Sequence, residues 1–112
     1  MGRMWIFGTL FSIGVRATAP ADDARVARGM QVVAEQKCML CHSIAGKGNT
    51  KGPLDNVGGT LSADEIRQWI VTPKEMTAKT KAERKPPMKT FDLPPTDVDA
   101  LVAYLQTLKK KP

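Results

Sequence analysis

Cys38-Met39-Leu40-Cys41-His42 is the stretch whose residue types and spacing could do chemistry: two thiols three apart, with an imidazole directly after the second. Within one helical turn, residues three and four apart share a face. Both thiols can therefore reach the vinyl groups on neighbouring pyrrole rings of one porphyrin and form thioethers, while His42 falls under the iron as its nitrogen ligand. Other uses of these atoms fit less well. A structural zinc site takes four Cys or His ligands, usually as two separated pairs, and the chain has only these two cysteines and this one histidine. A thioredoxin-type pair needs a strand, helix and strand around it, whereas here a helical pattern precedes and a glycine-rich loop follows. A disulfide across so short a loop leaves His42 without a role.

With one histidine in the chain, the second axial position on the iron must be filled by another residue or left open. The methionines are 1, 4, 30, 39, 76 and 88. Met1 and Met4 belong to the N-terminal segment, Met30 to the core face of a first helix, and Met39 to the attachment turn. Met76 and Met88 remain as candidates, on chain that can pass over the far face of the ring. Met88 is favoured, because Pro86 and Pro87 stiffen its approach and Phe91 follows closely. Thioether ligation raises the potential of a haem iron.

Positioning these groups falls to three predicted helices and two loops. Asp22 or Asp23 caps the first helix, whose apolar face reads Val26, Met30, Val33 and Ala34. Gly29 in its interior costs about 1 kcal/mol relative to alanine, which points to another backbone crossing there. Residues 43–60 read as a loop around the haem edge. Within it, the Gly52-Pro53-Leu54 turn is a candidate for setting a backbone carbonyl against the other ring nitrogen of His42, the contact that fixes a ligand's ring orientation. Ser62 and Glu65 form a capping box, with Leu61 and Ile66 as its staple, opening a second helix that Pro73 ends. Trp69 on that helix either packs on the porphyrin or donates its indole N–H to a propionate, or else it simply packs in the core. Residues 74–95 read as a lysine- and proline-rich loop. Thr96 is expected to cap the last helix, whose stripe is Val98, Leu101, Val102, Leu105 and Leu108.

Residues 1–21 read as a secretory signal: Arg3 precedes a short apolar run from Trp5 to Val15, and small residues follow. Cleavage after Ala21 leaves one domain, 22–112; an uncleaved N-terminal anchor is the alternative. The chain carries 17 basic and 11 acidic side chains, a net +6. Loss of Arg3 and Arg16 with the signal leaves +4 on residues 22–112. No helix lined with arginine suggests nucleic-acid binding, so the basic excess suits an acidic protein patch.

Taken together, Cys38 to His42, Gly52-Pro53-Leu54, Trp69-Ile70 before Pro73, Pro86-Pro87-Met88 with Phe91, and Leu101 to Leu105 resemble the class I c-type cytochromes, over about residues 23–108. The resemblance implies an all-α cytochrome c fold, three or four helices wrapped around one covalently bound haem c. It also implies His42 and Met88 as axial ligands, a Pro53 carbonyl bonded to His42, and a crossing of the first and last helices at Gly29. Ala34 departs from the pattern, standing where an aromatic commonly packs. The implied role is a monomeric, periplasmic or extracytoplasmic one-electron carrier, not itself an enzyme, which meets redox partners through acidic docking surfaces. Membrane association is expected only if the N-terminal segment stays uncleaved. A haem subunit of a larger oxidoreductase and an open-site haem enzyme or sensor are the alternatives.

Overall fold

Gly29 decides how the two terminal helices meet. The computed structural model describes residues 21–110, together with Gly2, Gly8 and Gly14; the expected signal segment, apart from Ala21 and these glycines, lies outside the described residues. Helix α1 (Ala21–Glu35) and helix α5 (Pro95–Gln106) make the most extensive helix pairing in the fold. A Cβ built on Gly29 would collide with the carbonyl oxygen of Ala100 and the Cβ of Tyr104. The glycine expected at the crossing is there, and its missing side chain is what lets the backbones approach.

That contact also sets the register of α1, and here the sequence reading is corrected. Val32 and Val33 are buried, whereas Met30 is 55% exposed and Ala34 is also at the surface. The face is centred on Gly29, Val32 and Val33 because the helix must present Gly29 to α5, which turns Met30 away. Arg28, beside it, donates from Nε and Nη2 to both carboxylate oxygens of Asp97 at 3.0 Å, and from Nη1 to Glu35 at 2.9 Å. Paired in this way, the Asp97 carboxyl is held below its ordinary pKa, chiefly by the hydrogen bond from Arg28.

Helix α5 opens differently from expectation. Pro95 takes its first helical position, and Thr96 lies inside the first turn without a side-chain cap. Proline suits that position because its missing N–H would have had no intrahelical partner.

Between the terminal helices the chain makes a two-stranded hairpin, β1 (Ser43–Ile44) with β2 (Lys47–Gly48), and a single helical turn α2 (Val57–Thr60). Helix α3 (Ala63–Val71) has the predicted capping box: Glu65 N donates to Ser62 Oγ at 3.2 Å, and Ser62 N to Glu65 Oε1 at 3.0 Å. Helix α4 (Pro73–Thr80) is a second correction, since residues from 74 onward were expected to be loop. Pro73 ends α3 by starting α4: it is buried at the first position of the new helix, and Met76, three residues further on, is also buried at 4% exposed. The fold is therefore mostly helical, as expected for its class, with five α-helices among the described residues instead of three or four.

The core joins Val32 and Val33 of α1, Ile66 and Ile70 of α3, and Val98, Leu101, Val102 and Leu105 of α5. Full burial of each such side chain is worth roughly 1.5–3 kcal/mol. Asn56 at the entry of α2 accepts from Lys110 N at 2.9 Å, which ties the segment after α5 to the entry of α2.

Candidate functional site

The Cys38–His42 turn is held by its own backbone. Lys37, at φ 56°, ends α1 in the left-handed region, and a 3₁₀ turn (Cys38–Leu40) follows. Cys41 N and His42 N both donate to Cys38 O, at 3.2 and 3.1 Å. Asn49 then clamps the outer side: its backbone N donates to His42 O at 2.9 Å and Met39 O at 3.1 Å, and its side-chain amide donates to Leu40 O at 3.2 Å. Sequence reasoning missed Asn49, whose only signal was its place among turn-forming residues.

The two thiols are unpaired, Cys38 half-buried and Cys41 exposed. Burial raises the pKa of Cys38, against a lowering by its backbone and by the nearby Lys89 charge. His42 is half-buried, and its Nδ1 lies 3.0 Å from the carbonyl oxygen of Gly52. A carbonyl can only accept, so Nδ1 carries the proton and the lone pair resides on Nε2. Burial lowers the imidazole pKa, the Gly52 hydrogen bond opposes this, and the charge of Arg84 lowers it again. The result is a neutral ring with one nitrogen tethered and the other open for coordination.

The orienting carbonyl is that of Gly52, not Pro53. Gly52 O accepts from Ser43 N at 3.1 Å, and Leu54 N donates to Ser43 O at 2.8 Å, forming an isolated bridge of Ser43 with Pro53. In extended chain, successive carbonyls point to opposite sides. With Gly52 O turned toward Ser43 and His42, Pro53 O is directed away, and Pro53 itself is exposed.

These groups open onto a cavity of about 1010 Å³. Cys38, Cys41 and His42 line it from the attachment turn, Trp69 and Ile70 from α3, Leu101 and Leu105 from α5, and Pro86, Pro87, Met88 and Phe91 from the segment after α4. Of the candidate residues, Cys38, Cys41, His42, Trp69 and Met88 are thus brought to one space. Met76 is not: it is buried in packing and is absent from the lining. The cavity is walled mainly by apolar side chains and reaches the upper end of the size of small-molecule sites. It suits a large flat apolar group with one nitrogen donor and one thioether donor facing it.

A mostly helical fold in which a Cys-x-x-Cys-His turn opens on an apolar cavity defines a haem-attaching, c-type domain. The model of the Cytochrome c family matches residues 26–109, and the chain belongs to that family. By class it is a haem-based electron carrier, and the family implies a covalently bound haem c, which the two thiols and the tethered imidazole fit. The chain is 29% identical over 91 residues to "Cytochrome c oxidase subunit 2" of Alkalihalophilus pseudofirmus; the match covers 73% of this chain and 25% of that protein. The chain thus spans about a quarter of the length of that relative. No solved structure matches it. Among the described residues no helix is long and apolar enough to cross a membrane.

Proposed function

We propose that the chain is a monohaem one-electron carrier, its haem joined through Cys38 and Cys41 and its iron held by His42 Nε2 and the Met88 thioether. The observation that carries this reading is the shared cavity: the attachment turn and Met88 line the same space, while the competing Met76 does not. When bound, the haem supplies an iron that accepts or gives up one electron. The chain's own part is to keep both ligands in place in either oxidation state. Gly52 O holds the imidazole ring in orientation, and the prolines before Met88 limit the freedom of its approach. Trp69 lies along the cavity wall, where its ring can pack on the porphyrin.

Exposed Lys37, Lys51, Lys85 and Lys89 surround the cavity. They give the reading its partner: a redox protein with an acidic docking surface, approached at a rate that falls as salt screens the charges. Residues 1–21 would direct export, making the carrier periplasmic or extracytoplasmic. The test is the visible spectrum of the ferric protein. The weak far-red band of iron bonded to sulfur should vanish in Met88→Ala and persist in Met76→Ala; its retention in Met88→Ala refutes the ligation.

The similarity to an oxidase subunit favours a second reading, in which the same domain serves inside a larger oxidoreductase. Co-purification from the native host separates the two: a free carrier elutes alone, a subunit with its complex.

A further inference from the structure

The segment between Ala82 and Pro94 carries Met88 and is tied down by little. Among the described residues, positions 83–93 make no backbone hydrogen bond and no ion pair. Lys89 lies over Phe91, its Nζ 5.1 Å from the ring centroid, but that contact is internal to the segment. Leu93 packs against the core, and Phe91 faces the cavity.

One polar side chain leaves the segment for the other side of the site. The guanidinium of Arg84 lies directly on Gly52: a Cβ built there would fall on its Nη1 and Cζ. Gly52 is the residue whose carbonyl receives His42 Nδ1. Arg84 therefore joins the loop bearing Met88 to the turn that orients His42. Arginine suits this contact, because its planar, weakly hydrated head can lie flat on a peptide where an ammonium cannot. Its charge is close enough to act on the imidazole, and none of the ion pairs among the described residues engages it.

We propose that Arg84 is a positioning residue, a latch that packs on Gly52 and keeps the Met88 loop closed over the cavity, and so controls how readily an outside ligand reaches the iron. This rests on the reading that Met88 is the axial thioether. An outside ligand binds only the open loop, so its apparent affinity scales with the open population.

The experiment is an imidazole titration of the haem-loaded ferric protein, followed by loss of the far-red iron–sulfur band, in wild type, Arg84→Gln and Lys81→Gln. Lys81→Gln makes the same charge change three residues away, at an exposed position outside the cavity lining, and leaves the latch in place. The expected result is an apparent imidazole Kd lowered about fivefold in Arg84→Gln, the upper range for one exposed charged contact. Lys81→Gln should match wild type, and the thermal midpoint of Arg84→Gln should be unchanged, as befits a local opening. Equal affinity in Arg84→Gln and wild type, or an equal shift in Lys81→Gln, overturns the latch alone. A wild-type ferric protein without the band overturns the ligation reading, and the latch falls with it.

Discussion

Gly29→Ala sets two effects of opposite sign against each other. Alanine is the better helix former by about 1 kcal/mol, so on propensity alone the substitution strengthens α1. The crossing says otherwise. The added methyl would meet the carbonyl oxygen of Ala100 and the Cβ of Tyr104. Both are fixed by the backbone of α5, and neither can rotate aside. Relief requires the two helices to part along their whole contact, which also disturbs Val33 and the Arg28–Asp97 pairing. Overpacking costs about 1–3 kcal/mol, and rigid contacts on both sides place this site at or above the top of that range. After the propensity gain is subtracted, the net loss is about 2 kcal/mol, a fall in midpoint of roughly 8–16 °C for a domain of this size. Thermal unfolding of the haem-loaded protein by far-ultraviolet circular dichroism measures it. A midpoint equal to or above wild type refutes the reasoning, since it would mean that α5 does not press on α1 at Gly29.

Met30→Ala should change stability by no more than about 0.5 kcal/mol, whereas Met76→Ala should cost about 2–5 kcal/mol; chemical denaturation of the pair checks both burial assignments, and a costly Met30→Ala would restore the rejected helix face. Ser62→Ala removes the cap of α3 and should cost about 1 kcal/mol, lowering the midpoint by roughly 4–8 °C; no change would show that α3 is held without it. Asp97→Asn should destabilise at neutral pH. Because the Asp97 carboxyl is held below its ordinary value, its contribution is complete above the unfolded pKa of about 4 and is lost as pH falls through the lower folded value. The gap between variant and wild type should therefore close on the acid side, and a gap constant down to pH 2 refutes the pairing. Finally, the chain produced without haem attachment should lack a cooperative thermal transition; a native-like melt without haem contradicts a fold completed by the cofactor.

What could be read from the sequence was what depends on residue type at fixed local spacing. Cys38, Cys41 and His42 were legible because attachment to one ring admits few spacings, and the Ser62–Glu65 box because both its hydrogen bonds are local. Gly29 was legible as an exception, a poor helix former in mid-helix that needed a reason from outside the helix. The misses share a cause. Met30 was assigned inward from periodicity, but two overlapping stripes fit α1 and only the demand of α5 for Gly29 selects between them. The turn from Gly52 to Leu54 was legible as a source of the orienting carbonyl, but the family resemblance pointed to Pro53 where Gly52 supplies it, because the direction of a carbonyl follows from pairing with Ser43, which no local pattern records. Helix α4 was hidden by lysines on its outer side, and its one strong signal, Pro73, serves equally as a stop and a start. Arg84 was invisible because its contact joins segments distant in sequence, and Asn49 because its bonds to Met39, Leu40 and His42 follow from how the loop folds back and not from a helix or strand period.

The residues with chemistry lie on irregular backbone, and those with core roles lie on helices, yet the two sets meet at one surface. Cys38 to His42, Gly52 and Met88 belong to a 3₁₀ turn, a bridge and an open loop. The wall opposite in character, Val33, Ile66, Ile70, Leu101 and Leu105, is at once the lining of the cavity and most of the buried core. These side chains form both the core that joins the helices and one wall of the cavity of about 1010 Å³. A domain of about ninety residues has only marginal burial to begin with. The group that fills the cavity thus completes the same apolar surface that holds α1, α3 and α5 together. It follows that the irregular segments need little stability of their own: their geometry is fixed once the helices close on a shared ligand, and their few polar ties, Gly52 to His42 and Asn49 to the attachment turn, are spent on orientation instead of on holding the fold.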